Sequence, residues 1–219
     1  MINDGGKVNI FEGVAETIRQ TFEVRTAARD LALAQTRLLT RHCANAIRAV
    51  HRDEKELATE HLQQAGEIAV VLKNDLADYP DFLYAGYTQD ALKEYAEANL
   101  VFALIQNNEL PLPEQIGVPS STYLQGLAEA VGELRRRCLD QLRLGKSEEA
   151  TRLLNLMDDI YTVLITMDYP DAVTGGLRRL TDVARSLLER TRGDLTISLR
   201  QEQLETKLRR LEGLLAERL

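Results

Sequence analysis

Residues 122–144 read TYLQGLAEAVGELRRRCLDQLRL, and the spacing in this stretch decides the fold class. Leu124, Leu127, Val131, Leu134 and Cys138 follow one another by steps of three and four, the period of a packed helix face. Ser120, Ser121 and Thr122 supply N-cap chemistry before it, and Gly145 suits the left-handed position after it. At about 100° per residue, Glu129 and Glu133 fall roughly opposite Val131, so the pattern predicts them turned away from the seam.

The same period extends outward in both directions. Val14, Ile18, Phe22, Leu31, Leu38 and Ile47 predict one apolar side of a helix over residues 10–50, after a flexible tail at 1–9. Leu57, Ile68 and Leu72 mark a second helix over 55–76, which stops before Pro80 because the residue preceding proline resists helical geometry. Further helices are expected over 88–106 and 147–166, with a short turn near Glu114. A last helical segment, from about 175 to 219, is expected to be interrupted at Gly193. Strand patterns and repeats of 20–50 residues are absent. A forty-residue helix is long for a globular chain and implies a bundle or an oligomer. The reading is therefore a single all-α domain over 1–219.

Composition agrees. The 219 residues are 44% apolar and 28% charged, enough for a core, and there are only 13 Gly, 5 Pro and no Trp, a profile that disfavours sandwiches and barrels. Cys43 and Cys138 lie far apart with no C-x-x-C, so a zinc ribbon and a redox pair are excluded, and two buried free thiols fit a reducing cytoplasm. The first residues do not read as a signal peptide, and no apolar run approaches a membrane span.

A net charge of −7 weighs against nucleic acid only while it is averaged. Residues 18–52 carry seven Arg against two acids, residues 53–174 nine bases against 22 acids, and residues 175–219 ten bases against seven acids. Two basic flanks thus enclose an acidic middle, and Arg outnumbers Lys 21 to 6, which suits bidentate contacts to phosphate or carboxylate. Within the middle, Asp90, Glu94 and Glu97 share one helix face, with Lys93 a poorly placed compensator for Glu97. Glu129 and Glu133 share another. Two carboxylate pairs on two helices suit Mg²⁺ or Mn²⁺, which prefer oxygen ligands, although solvated helix faces are the commoner origin of such pairs. His42, His51 and His61 form no H-E-x-x-H and no E-x-x-H, which excludes zincins and the di-iron bundle; His61 reads as a surface residue. Phosphate-binding glycine loops and G-x-S-x-G are absent.

Four stretches carry a resemblance. Residues 84–98, YAGYTQDALKEYAEA, contain Glu94-Tyr95-x-Glu97-Ala98 on a helix. Tyr123-Leu124-x-Gly126-x-Ala128-Glu129-x-x-Gly132-Glu133-Leu134 follows, then YPDAVTGGLRRLTDVAR at 169–185, and Ala28-Arg29-Asp30 lies in the first helix. In this order they resemble the translin superfamily, in particular translin-associated factor X (TRAX) and its archaeal relatives. The resemblance implies an all-α protomer of about seven helices that assembles into a closed, barrel-like homo-oligomer, commonly an octamer. It implies a Mg²⁺-dependent endoribonuclease, with Mn²⁺ as a substitute ion, acting on single-stranded RNA in an internal cavity. The family's catalytic, metal-holding carboxylates fall on Glu94, Glu97 and Glu129, with Glu133 as a fourth metal ligand. One of those positions is Asp in the eukaryotic factor and Glu129 here. Translin itself lacks the acidic cluster and carries a basic stretch that this chain does not have. Charge and helix face nominate Arg25, Arg37, Arg41, Arg135 and Arg136 as contacts to the RNA backbone. The alternative is a non-catalytic oligomer that binds single-stranded RNA or DNA, as translin does.

Overall fold

The computed structural model describes residues 5–216. Among them the chain forms α1 (Gly5–His51), α2 (Lys55–Asp75), α3 (Pro80–Leu83), α4 (Gly86–Gln106), α5 (Pro113–Ile116), α6 (Ser120–Arg143), α7 (Ser147–Thr166), α8 (Asp171–Thr174) and α9 (Leu177–Ala216). Six helices are long. The count exceeds the expected seven because α3, α5 and α8 are single turns, each opening at or just after a proline, which pre-sets the backbone angle of a first helical residue. No strand occurs among the described residues, and no helix there is long and apolar enough to cross a membrane. Of the tail expected at 1–9, residues 1–4 lie outside the described residues, and α1 begins at Gly5.

The centre is the pair α4 and α6. Helix α4 packs on α1 and, across the pair, on α6; α6 packs in turn on α7 and α9. Leu127, Val131, Leu134 and Cys138 are buried as their spacing requires, in a core shared by α6, α7 and α9. Each buried leucine contributes about 1.5–3 kcal/mol. A second core, with Leu39, Cys43, Leu72, Leu92 and Tyr95, fills the space between α1, α2 and α4. Tyr123 touches both cores. Gly145 closes α6 at φ 71°, the left-handed turn that a side chain disfavours.

Two expectations change. The apolar side assigned to α1 is its core face only at Ile47: Val14, Ile18, Phe22, Leu31 and Leu38 are exposed, while Ala32, Thr36, Leu39, Cys43 and Val50 are buried with Ile47. Helix α1 has apolar residues on more than one side, and the small ones admit close neighbours. In α2 the expected face holds at Leu72, which is buried, and at Ile68, which packs on the core, while Leu57 is exposed and Ala58, Ala65 and Ala69 complete the buried side. Helix α9 is continuous through Gly193, because Thr191 and Leu195 anchor it to the core on either side of that exposed glycine.

Candidate metal centre

The distance between α4 and α6 is set at one glycine. A Cβ on Gly126 would lie 2.9 Å from Ala96 Cβ and 2.9 Å from the Glu97 backbone nitrogen. With no side chain there, the two helices approach closely, and Glu129, one turn further along α6, faces α4. Glu94 and Glu97 on α4 and Glu129 on α6 bring one carboxylate oxygen each within 4.8 Å of one another. Glu129 lies off the α6 seam, as the spacing predicts, and α4 covers that face and leaves it half-buried. Because α4 is packed on two sides, Glu97 is only 9% exposed.

Three carboxylates at this distance repel. Burial, then Glu129, Glu94 and Glu133, push the Glu97 carboxyl up to about 8. Burial and Glu129 raise Glu94 as well. The cation within the group is Lys93, whose Nζ donates to Glu129 Oε1 at 2.9 Å and lies 3.9 Å from Asp90. Burial lowers the Lys93 amine, but the bond to Glu129 and the nearby acids outweigh it and hold the amine above its usual value. Lys93, poorly placed along α4 to compensate Glu97, instead pairs across the two helices with Glu129. Asp90 stays exposed and outside the cluster.

Glu133 is placed differently from the ligand role given to it. Its Oε2 is 2.5 Å from His51 Nε2 and 3.6 Å from Arg136 Nη1. The bond to His51, which outweighs burial, keeps its carboxyl below the usual range. An acid already engaged by a buried imidazole flanks the cluster instead of joining it. His51 ends α1, 82 residues away in sequence, and no local pattern points to it. Its Nδ1 is buried without a partner.

The five nominated arginines divide. Arg25 pairs with Asp81 and lies over the Phe82 ring at 4.8 Å. Arg135 binds Asp194 at 2.9 Å and Thr191 at 2.8 Å, tying α6 to α9. Both are engaged within the fold. Arg136 is exposed beside Glu133, and Arg37 and Arg41 are exposed with no ion pair among the described residues. Cys43 and Cys138 are buried free thiols, as their positions predict. His61 is half-buried rather than a surface residue, its Nδ1 3.3 Å from that of His42 across α1 and α2. A groove of about 690 Å³, lined by residues such as Tyr161, Tyr169 and Arg178, lies between α7 and α9 and contains none of these carboxylates.

The donor set fits a hard divalent cation. Three carboxylates supply oxygen ligands only, and their mutual repulsion is what a dication relieves. Lys93 is the competing cation. Lys93→Met is expected to cost the metal-free protein about 1–3 kcal/mol, because it strands Glu129 among like charges. It is also expected to tighten Mn²⁺ binding several-fold by calorimetry; weaker binding would mean that Lys93 helps to build the site.

No family model matches the chain. An uncharacterized protein of Methanocaldococcus jannaschii is 31% identical over 190 residues, spanning 86% of this chain and 84% of that protein. Among solved structures, AfC3PO is 33% identical with a TM-score of 0.76, over 84% of this chain and 96% of that one. The chain belongs to the translin superfamily. AfC3PO in complex with duplex RNA aligns at 32% identity and a TM-score of 0.75, over 84% of this chain and 95% of that one. Apo-NeC3PO shares the fold of this translin-superfamily protein, at 19% identity and a TM-score of 0.77 over 84% of this chain and 96% of its own. The resemblance is TRAX-like, and the helical translin-like bundle expected from the sequence is the observed fold.

Proposed function

We propose that this protein is a Mg²⁺-dependent endoribonuclease that cleaves RNA inside a closed homo-oligomer, an octamer by family resemblance. The observation that carries the reading is the meeting of Glu94, Glu97 and Glu129 across α4 and α6 in a chain one-third identical to AfC3PO, which has been solved with duplex RNA. Single-stranded RNA is the substrate expected from the resemblance; the AfC3PO complex makes duplex RNA the necessary comparison. Glu94, Glu97 and Glu129 would hold the ion, with Mn²⁺ as a substitute. Bound there, a dication would supply Lewis-acid chemistry, polarising a phosphodiester oxygen and making water a better nucleophile near neutral pH. The chain's own residues do the rest. Packing around α4 holds Glu97 in a fixed direction and limits water around it. The His51–Glu133 bond fixes the α6 face beside Glu129. Exposed Arg37 and Arg41, and Arg136 beside Glu133, are placed to neutralise backbone phosphate. Self-assembly is supported by exposed Phe11, Val14, Ile18 and Phe22, a stripe on α1 that water does not favour. The setting in this reading is the cytoplasm, where both thiols stay reduced.

A non-catalytic RNA- or DNA-binding oligomer is the second reading, and one observation favours it. Lys93 already neutralises Glu129, so the cluster is partly compensated without a metal. End-labelled single-stranded and duplex RNA, incubated with Mg²⁺, Mn²⁺ or EDTA, separates the two. The nuclease reading expects internal cleavage with either ion and none in EDTA. Salt-sensitive retention of intact RNA under all three conditions would establish the second reading instead.

A further inference from the structure

Two of the three histidines meet where α1 packs on α2, apart from the carboxylate cluster. The Nδ1 atoms of His42 and His61 stand 3.3 Å apart. The rings meet edge to face, with planes 62° apart and centroids 5.4 Å apart. Both rings are half-buried, and neither has another hydrogen-bond partner among the described residues. Neither Nε2 is a buried orphan, so both reach water. One proton fits between the two Nδ1 atoms; a second would set two imidazolium charges against each other. Burial, then His61 and Arg41, lower the His42 imidazole below its usual value. The pair is held in the neutral form, which is the form that ligates a metal.

The separation selects an ion. Two nitrogens bound at about 2.05 Å to a tetrahedral ion stand about 3.3 Å apart, whereas neighbouring ligands of a square-planar or octahedral ion stand about 2.9 Å apart. We propose that His42 and His61 bind a tetrahedral cation of the Zn²⁺ class through both Nδ1 atoms, bridging α1 and α2. Binding needs the Nε2–H tautomer in both rings. The proton between the Nδ1 atoms therefore moves through water to an Nε2, and no net proton is released. Water completes the coordination, since no third acid or thiol converges there among the described residues. Leu38 and Leu57, one turn before the two histidines, share their helix faces and lower the local dielectric. Arg41 is exposed, so water and salt screen its charge from the ion. The site differs in kind from the carboxylate centre: imidazole suits Zn²⁺, whereas Mg²⁺ prefers oxygen. It does not depend on the nuclease reading.

The test uses the full-length, metal-stripped protein carrying Glu94→Gln and Glu97→Gln, in which the carboxylates no longer compete for the ion. Calorimetric titration with Zn²⁺ is expected to show one ion per chain with a Kd below about 100 µM. Adding His42→Gln or His61→Gln is expected to weaken binding at least about tenfold. Saturating Zn²⁺ is expected to raise the unfolding midpoint by about 5 °C with both histidines present, and not in either histidine variant. Co²⁺ in place of Zn²⁺ is expected to give the intense visible absorption of a tetrahedral ion, and His61→Cys to add a thiolate-to-metal band. Should the glutamine variants not fold, these two spectra decide the ligands. Binding weaker than about 100 µM, a pale octahedral Co²⁺ spectrum, or affinity unchanged by the histidine substitutions overturns the site. Wild-type protein that cleaves no RNA with Mg²⁺ would overturn the nuclease reading alone and leave this site standing.

Discussion

Glu94→Gln combined with Glu97→Gln is expected to reduce Mg²⁺-dependent RNA cleavage by about a thousandfold or more, while making the metal-free protein more stable. The loss follows from removing two of three oxygen donors that converge within 4.8 Å. The gain follows from the same geometry. Glu97 is buried among like charges, and its carboxyl is pushed up to about 8. In the unfolded chain it ionises near 4.5. Below 4.5 both states hold the proton and this group has no effect. Between 4.5 and about 8 the unfolded state loses its proton first, so stability falls as pH rises through that window. Above it the full penalty, on the order of a few kcal/mol, is present. Unfolding midpoints in EDTA should therefore decline from pH 5 to pH 8 for the wild type and be flatter for Glu97→Gln alone. Mg²⁺ should raise the midpoint of the wild type and not that of the double variant. A double variant that cleaves like the wild type would remove these residues from the reaction. A variant less stable at pH 8 would mean that Glu97 is compensated in the folded state.

The second large effect is expected at Gly126, which has no side chain of its own. An added methyl meets the backbone of α4 at 2.9–3.0 Å, and backbone cannot swing aside as a flexible side chain does. Gly126→Ala therefore forces α4 and α6 apart. After the roughly 1 kcal/mol that alanine returns in helix propensity, overpacking of this kind leaves a net cost of about 2 kcal/mol. In a chain of this size that lowers the midpoint by about 5 °C. The larger consequence is catalytic. Glu129 moves away from Glu94 and Glu97, and a misplacement of about 1 Å costs on the order of a hundredfold in rate. Gly132→Ala is the control, since its Cβ would meet nothing nearer than Leu187 Cδ1 at 4.0 Å. That variant should be slightly stabilised and fully active. If the two glycine variants behave alike, the close approach does not set the site.

These results separate what is written locally from what is assembled. The α6 seam was legible because Leu127, Val131, Leu134 and Cys138 bury one face of one helix, and a helix face is a matter of residue spacing alone. For the same reason the helix spans, the breaks at Pro80 and Pro113, the buried thiols and the two carboxylate pairs could be read from the chain. Spacing does not say which neighbour covers a face. Helix α1 carries apolar residues on several sides, and only its packing on α2 and α4 shows that Leu39 and Cys43 are core while Phe22 is not.

By itself, then, the sequence determined an all-α chain, its helix order and the acids from which the proposed metal site is drawn. The tertiary structure decided which acids meet. Glu129 joins Glu94 and Glu97 because Gly126 lets two backbones touch, whereas Glu133 is taken by His51 from the far end of α1. Lys93 reaches across to Glu129, and Arg135 is spent on Asp194. Each of these pairings links residues far apart in the chain, and their energies depend on the burial and distance that packing creates rather than on any local period.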